Sequence, residues 1–175
     1  IPKIWAHRGA SGYAPENTIE AFERAVEMKA DGVELDVQLS KDGQMVVIHD
    51  ETVDRVSGVN GFVRDFTLQE LRKLDVSLPI EGYHTVRIPT LAEVLETLKP
   101  TGLEINIELK TGIYFYPDLE KKVIRLVEDM QMTDRIWCSS FNHESVCRVK
   151  ALCKAMRCGF LLSDVILDVA AYAKH

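Results

Sequence analysis

Two histidines that could move protons lie at the ends of short apolar runs in the first 50 residues. His7 follows the run that begins at Ile4, His49 follows a run of valine and isoleucine, and a charged residue comes next in each case, Arg8 or Asp50. An imidazole with its ordinary pKa of ~6.5 can take up or release a proton at neutral pH. One histidine could therefore deprotonate an attacking water or hydroxyl while the other protonates a leaving alcohol, and the sequence leaves open which does which.

Three carboxylates lie on two segments in which apolar and polar residues alternate. Because neighbouring side chains of a strand point to opposite faces, Glu34 and Asp36 project side by side from the first segment, and Glu108 projects from the polar face of the second. A half-exposed sheet has the same alternation, so a solvated polar face is the alternative explanation. In a parallel barrel that face looks inward, where unpaired carboxylates would have to stay protonated or bind a cation.

A hard divalent cation is the simpler of these two solutions. Carboxylate oxygens select Mg²⁺ or Ca²⁺, with Mn²⁺ as a third candidate, and the sequence does not choose among them. The four cysteines lack CxxC spacing and form no ligand cluster with histidine, which disfavours zinc. We expect them to be buried free thiols.

Two cations complete the set of reactive side chains. Arg8 could bind phosphate oxygens with its planar donor fork, and Lys110 could offset the charge that develops in a transition state. Ordinary surface ion pairs are the alternative for both. Together with the histidines and carboxylates, these residues favour hydrolysis of a phosphate ester.

The elements that must position these residues alternate between strands and helices. Short runs rich in β-branched residues are separated by segments of helical period, which is typical of βα units and a mostly parallel sheet. Capping-box spacing predicts helix starts at Asn17 with Glu20, Thr67 with Glu70 and Thr90 with Glu93, and Asn142 is a further candidate cap. Six strands are predicted, at Ile4 to Arg8, Val33 to Leu39, Met45 to Asp50, Glu104 to Lys110, Arg135 to Ser140 and Arg157 to Leu162.

Two connections depart from this alternation. Residues 40–44 are too few for a helix, and if the chain reverses tightly at Asp42, His49 falls opposite Leu35 and beside Glu34 and Asp36. The connection over residues 51–102 is longer than one crossover requires, and we expect it to carry a small insertion with a short helix at 67–74 and a loop at 79–89. Its composition suits a lid or rim rather than a second core.

Composition bounds the class of protein and its partners. A chain of 175 residues with 46% apolar and 27% charged residues is predicted to form a single domain over residues 1–175. A net charge of −6 argues against nucleic acid or an anionic membrane as partner. No stretch approaches the ~20 apolar residues of a membrane span, and the first residues lack the features of a signal peptide, so we expect a cytoplasmic protein without a stable membrane anchor.

Several runs of residues resemble the motifs of the glycerophosphodiester phosphodiesterase family, in order and spacing. They are His7-Arg8-Gly9-Ala10, Ala14-Pro15-Glu16-Asn17-Thr18, the run from Glu34 to Gly43, His49-Asp50, Ile88-Pro89-Thr90-Leu91 and Glu108-Leu109-Lys110. The resemblance implies an α/β fold, a TIM-like (β/α) barrel with an insertion after the third strand. It also implies a metal held by Glu34, Asp36 and Glu108.

The same resemblance implies roles for the remaining site residues. His7 and His49 would be acid and base, and Arg8 and Lys110 would contact the phosphate. The reaction would be hydrolysis of a small glycerophosphodiester to glycerol 3-phosphate and an alcohol. Because relatives act on lysophospholipids or other diesters, the substrate's alcohol group does not transfer with the family.

The sequence departs from the family pattern at its C-terminal end. Six strands and a final helix near 164–174 are fewer elements than an eight-stranded barrel of ~250 residues requires, so the last two strands are expected to be absent. The first and sixth strands would then have open edges that favour self-association. A fragment, a proteolysed product and an incompletely recorded chain remain open as explanations.

Three other functions compete with this interpretation. A phospholipase of the same barrel type would cleave the diester through a neighbouring hydroxyl and form a cyclic phosphate. A catalytically silent domain would bind phosphodiesters or metal without turnover. A structural barrel with internally paired charges would bind no metal.

Overall fold

The computed structural model describes residues 2–78 and 80–174, and a sheet runs through its centre. Residues 1, 79 and 175 lie outside the described residues. The predicted domain range includes all three, and the predicted loop at 79–89 includes residue 79. The six predicted strands are present and mostly shorter than expected: β1 at Trp5–Ala6, β2 at Gly32–Leu39, β3 at Met45–Val47, β4 at Glu104–Leu109, β5 at Ile136–Ser140 and β6 at Arg157–Phe160.

Five of these strands run parallel in the order β1-β2-β4-β5-β6, and β3 attaches antiparallel to β2. The predicted barrel counted β3 among its strands. Its antiparallel direction follows from the short connection at 40–44, because parallel neighbours need a crossover of a dozen or more residues. The fold is therefore α/β with a partial TIM-like barrel whose main path has five parallel strands.

The edge of β2 that faces away from β4 is shared by two strands. The first half of β2 pairs with β1 and the second half with β3, while β4 pairs along both halves. Val37 pairs with Val47 and Leu39 with Met45, so the reversal is centred on Asp42 as predicted. Because β1 and β3 run in opposite directions along this edge, the ends of both strands approach the middle of β2.

Helices pack on the outer face of the sheet and cover an apolar core. The core contains the outward residues of β2 and β4, including Leu35 and Ile107, together with buried residues of the helices such as Phe22 and Leu95. The helices are α1 at Ile19–Glu27, α2 at Asp54–Ser57, α3 at Leu68–Leu71, α4 at Leu91–Leu98, α5 at Leu119–Asp129, α6 at His143–Leu152 and α7 at Val169–Tyr172.

Most of the predicted helix caps are present. Thr67 and Thr90 form complete capping boxes with Glu70 and Glu93, and Asn142 caps α6. The expected cap at Asn17 is wrong: Thr18 caps α1 by accepting from the Ala21 N–H. Asn17 has a left-handed backbone (φ 57°) and directs its side chain to a strand instead.

The long connection after β3 has an apolar cluster of its own, which corrects the expectation of a rim without a second core. Val46 and Ile48 of the β3 segment face this cluster, whereas Val47 faces the main core. The other buried members come from the connection itself and are Val53, Val56, Val63, Leu71, Val76, Val86 and Ile88. The β3 segment is thus enclosed on both faces.

The cysteines are free in the described part of the chain, and only two match the predicted burial. Cys138 and Cys153 are buried, while Cys158 is half-buried and Cys147 is exposed. Over residues 2–78 and 80–174, no helix combines the length and the apolar character that crossing a membrane requires.

Candidate active site

A left-handed turn directly after β1 sets the position of Arg8. Arg8 and Gly9 both have positive φ, 58° and 76°, and a Cβ on Gly9 would lie 2.8 Å from the backbone of Ala21 in α1. Only glycine fits this approach without displacing the helix. The turn directs the Arg8 backbone N–H to Glu34 Oε2 at 3.0 Å.

The three residues Glu16-Asn17-Thr18 each make a different contact around the site. Glu16 Oε1 accepts from Arg8 Nη1 at 3.0 Å. Asn17 is buried and clamps Asp36, donating to Oδ2 at 2.8 Å and accepting from its backbone N–H at 3.3 Å. With Thr18 capping α1, this short run connects the first helix to β1 and β2.

Three carboxylates converge on one face of β2 and β4. Glu34, Asp36 and Glu108 each place an oxygen within 4.8 Å of the others, and Asp36 and Glu108 are directly paired across the two strands. Among the described residues, buried Glu34 Oε1 and Asp36 Oδ1 have no hydrogen-bond partner. Burial, and after it the negative charge of Asp36, raises the pKa of Glu34 to about 8.

These carboxylates fit a divalent cation. Hard oxygen donors from three side chains provide the ligand type and the negative charge that Mg²⁺, Ca²⁺ or Mn²⁺ require, and two of these side chains have buried oxygens without a partner among the described residues. Without a cation, the cluster carries the cost of buried like charges.

Arg8 and Lys110 lie on two sides of the cluster. Arg8 Nε is 3.7 Å from Asp36 Oδ2, and Lys110 Nζ is 3.9 Å from Asp36 Oδ1 and 3.1 Å from Glu108 Oε1. Both side chains are largely buried, so they are not ordinary surface ion pairs. Their positive charges are available to a bound anion beside the carboxylates.

His7 lies at the open side of this cluster. Its side chain is 68% exposed, and Nε2 is 3.8 Å from Glu34 Oε2. Its backbone carbonyl accepts from Ser11 Oγ at 2.8 Å, which holds the chain immediately before the Arg8 turn. An exposed imidazole beside a carboxylate can exchange protons with a bound molecule.

His49 is held through its backbone and its ring. Gln38 lies on the same face of β2 as the carboxylates, and its Nε2 donates to the carbonyls of Ile48, His49 and Asp50 at 3.1, 3.1 and 2.7 Å. The His49 ring pairs with the next residue, with Nδ1 2.6 Å from Asp50 Oδ1. If Nδ1 donates this bond, Nε2 is left as a proton acceptor.

A guanidinium from α2 connects His49 to Arg8. Arg55 Nε donates to Asp50 Oδ2 at 2.6 Å, and its two terminal nitrogens donate to the Glu16 carboxylate at 2.8 and 2.7 Å. Burial alone would raise the pKa of Glu16 and of Asp50, but their hydrogen bonds to Arg55 hold both values below the ordinary range.

Every residue of the predicted site lies in this region, and several neighbours were missed from the sequence. Glu16 and Asn17 were quoted only as part of a motif, and Gln38 only as a member of a polar face. Arg55 had no signal beyond its place a few residues after His49. Buried Asn106 Oδ1 and Ser139 Oγ, which lie beside Glu34 and Glu108 in the strand register, also lack partners among the described residues.

The class of protein follows from these observations. A partial parallel barrel with a carboxylate cluster, two flanking cations and two histidines at its strand ends is the arrangement of a barrel enzyme that hydrolyses phosphate esters.

Comparison with known proteins narrows this class. The sequence model of the Glycerophosphoryl diester phosphodiesterase family matches residues 7–172. A glycerophosphodiester phosphodiesterase of Caldanaerobacter subterraneus is 50% identical over 180 residues, covering 98% of the chain and 74% of the relative. One from Bacillus altitudinis is 45% identical, covering 99% of the chain and 72% of the relative.

A solved structure agrees with these relatives. A phosphodiesterase of Oleispira antarctica, in complex with the product sn-glycerol-3-phosphate, superposes with a TM-score of 0.89 at 31% identity, covering all of this chain and 72% of that one. The chain therefore belongs to the glycerophosphoryl diester phosphodiesterase family and is a hydrolase of phosphodiesters.

Proposed function

We propose that the chain hydrolyses a glycerophosphodiester to glycerol 3-phosphate and an alcohol, with His7 and His49 as the proton-transfer pair. The observation that carries this proposal is the convergence of Glu34, Asp36 and Glu108 within 4.8 Å, beside the cations Arg8 and Lys110. The family of the chain and the glycerol 3-phosphate bound to the Oleispira antarctica enzyme support the choice of substrate.

Arg8 and Lys110 bind the phosphate in this proposal. The phosphodiester group carries one negative charge, and both cations lie beside Asp36, where they can donate to phosphate oxygens on two sides. A divalent cation held by Glu34, Asp36 and Glu108 would polarise a phosphate oxygen and offset the charge of the transition state. The ion is proposed to be Mg²⁺, Ca²⁺ or Mn²⁺.

His49 is the better placed proton acceptor. Its Nδ1 pairs with Asp50, so Nε2 can take a proton from the attacking water as the new O–P bond forms. His7, which is exposed beside Glu34, then donates a proton to the alcohol oxygen as the second P–O bond breaks. Asp50 stabilises the imidazolium form of His49 and holds its ring in place.

The first experiment measures release of glycerol 3-phosphate from glycerophosphocholine. The purified chain is assayed with EDTA and with added Mg²⁺, Ca²⁺ or Mn²⁺, beside a His49→Ala variant. We expect release that depends on metal and falls about 10²- to 10⁴-fold in the variant. A folded chain that releases nothing with any metal contradicts the proposal and favours a silent phosphodiester-binding domain.

Product analysis separates hydrolysis from the phospholipase-type alternative. Attack by a hydroxyl of the glycerol would give a cyclic phosphate, whereas attack by water gives glycerol 3-phosphate directly. We expect the ³¹P NMR spectra of the reaction to show no cyclic intermediate. Transient accumulation of a cyclic phosphate would assign the chain to the alternative reaction.

A further inference from the structure

Arg55 of α2 reaches the site, and all three of its guanidinium nitrogens are engaged. Nε donates to Asp50 Oδ2 at 2.6 Å, and Nη1 and Nη2 donate to the two oxygens of Glu16 at 2.8 and 2.7 Å. Two carboxylates from segments 34 residues apart are thus held in the plane of one side chain. A planar guanidinium offers a fixed fork of donors for this, whereas an ammonium carries its three donors on one rotatable atom.

Each of these carboxylates is also bound to a proposed site residue. Asp50 Oδ1 lies 2.6 Å from His49 Nδ1, and Glu16 Oε1 accepts from Arg8 Nη1 at 3.0 Å. The contacts form one chain, in the order His49, Asp50, Arg55, Glu16 and Arg8. Arg55 is its centre, and it joins the end of β3 to the turn after β1.

Hydrogen-bond donors and carboxylates alternate along this chain, which explains how the groups keep their positions. Glu16 and Asp50 each lie between two donors, and their side chains are only 16% and 28% exposed. Removal of Arg55 would leave Asp50 free to rotate away from His49, and it would leave Glu16 to compete with a bound phosphate for Arg8.

We propose that Arg55 is a positioning residue that fixes the His49 ring and the Arg8 guanidinium relative to each other. It touches neither the substrate nor the carboxylate cluster in this role. The proposal rests on the proposed function for its kinetic consequence, but the positioning itself can be measured without turnover.

An ordinary structural ion pair is the competing explanation, and a matched control variant separates the two. Arg72 also pairs with a carboxylate, Glu93 of α4, and is similarly exposed, but it directly follows α3 and its ion pair involves no proposed site residue. Arg72→Ala therefore removes one ion pair of a similarly exposed arginine, whereas Arg55→Ala removes two. A structural role predicts similar behaviour of the two variants.

The spectroscopic test follows the proton shared by His49 and Asp50. A short imidazole hydrogen bond to a carboxylate gives a downfield N–H resonance in ¹H NMR, and Asp50→Asn identifies which resonance it is. We expect this resonance in the wild-type chain and in Arg72→Ala, and its loss in Arg55→Ala. If Arg55→Ala keeps the resonance, Arg55 does not position His49, and the inference is overturned.

The kinetic test uses the glycerophosphocholine assay on the same variants. We expect Arg55→Ala to lower kcat about 10- to 100-fold, by analogy with the loss found when the hydrogen-bonding partners that orient metal ligands are removed. Arg55→Lys should recover only part of the loss, because lysine lacks the fixed donor fork that orients both carboxylates. Arg72→Ala should keep the wild-type kcat, and equal kcat values for Arg55→Ala and Arg72→Ala would overturn the inference.

A double-mutant cycle shows which contact carries the effect. In the Asp50→Asn background, Arg55→Ala should lower kcat less than in the wild-type chain, because only its contact with Glu16, and through it with Arg8, is left to lose. Fully additive losses would mean that Arg55 acts elsewhere, which contradicts the proposal. If the N–H resonance behaves as expected in the wild-type chain and its variants but the wild-type chain hydrolyses nothing, the positioning role is supported and the proposed function is rejected.

Discussion

Glu34 is a residue that opposes folding by itself and contributes an oxygen to the carboxylate cluster. Its carboxylate is largely buried, it faces Asp36 and Glu108, and one of its oxygens lacks a partner in the described part of the chain. Such a group destabilises the folded state unless a proton or a cation neutralises it. We therefore expect cation binding and folding stability to be coupled at this site.

We expect a divalent cation to raise the thermal midpoint of the wild-type chain, because a ligand that binds only the folded state adds about 2.7 kcal/mol at 100 times its Kd. Glu34→Gln should abolish this shift. Glu104→Gln is the control, since Glu104 lies on β4 but is bound by Lys3 and Arg157. Differential scanning fluorimetry with EDTA or added Mg²⁺ measures the shift, and an equal shift in both variants would contradict the assignment.

Two adjacent serines of β5 offer a second test at the residue scale. Ser140 Oγ donates to the Leu109 carbonyl at 2.7 Å, whereas the buried Ser139 Oγ has no partner among the described residues. Ser140→Ala should lower the free energy of unfolding by about 1 kcal/mol, while Ser139→Ala should be neutral or stabilising. Urea denaturation in EDTA decides this, and an equal loss in both would show that Ser139 is bonded in the metal-free protein.

At the scale of elements, one carboxylate joins the beginning and the end of the loop between α3 and α4. Asp75 accepts from the backbone N–H groups of Thr85, Ser77 and Val86 at 2.9, 3.1 and 3.0 Å. The bond from Thr85 is the largest contribution that lowers the pKa of Asp75 to about 2. These hydrogen bonds fix residues 85 and 86, which lie shortly before Ile88, a buried member of the apolar cluster of the long connection.

The hydrogen bonds to Asp75 should make part of the free energy of unfolding depend on pH. Because the folded-state pKa of about 2 lies below the ordinary value of 3.8, the stabilisation is complete above that ordinary value and is lost as pH falls toward 2. The stability difference between wild type and Asp75→Asn should therefore shrink on acidification. Urea denaturation from pH 6 to pH 3 measures this difference, with Asp129→Asn as the control variant. A stability difference between wild type and Asp75→Asn that does not change with pH would contradict the prediction.

At the scale of the whole molecule, the parallel path of the sheet ends at β1 and β6 in the described residues. An apolar groove of about 340 Å³ lies beside β1 and is lined by residues that include Ile4, Tyr13 and Met28. These side chains are 69%, 58% and 47% exposed. Open strand edges next to apolar surface favour pairing with another chain.

We expect the isolated chain to self-associate as its concentration rises, through the open edge at β1. Ile4→Lys should weaken this association, because a charged side chain at a strand edge opposes pairing. Sedimentation velocity over a range of concentrations gives the mass of the species, with Lys121→Glu, at an exposed position of α5 outside the groove, as a charge-changing control. A monomer at every concentration would show that the edge is protected.

The sequence by itself determined the features that depend on local geometry. The two-residue period of a strand places Glu34, Asp36 and Gln38 on one face, whatever surrounds them. The threonine capping boxes at α3 and α4 need only four consecutive residues. The reversal centred on Asp42 follows from a connection too short for any other return.

The tertiary structure decided which distant groups meet. Asn17 has the spacing of a helix cap, yet it binds Asp36 because the turn after β1 brings it against β2. Arg55 reaches Glu16 only because β1 and β3 share one edge of the same strand. Such contacts join residues far apart in the chain, so they depend on how the strands pair and pack, which no local pattern of residues encodes.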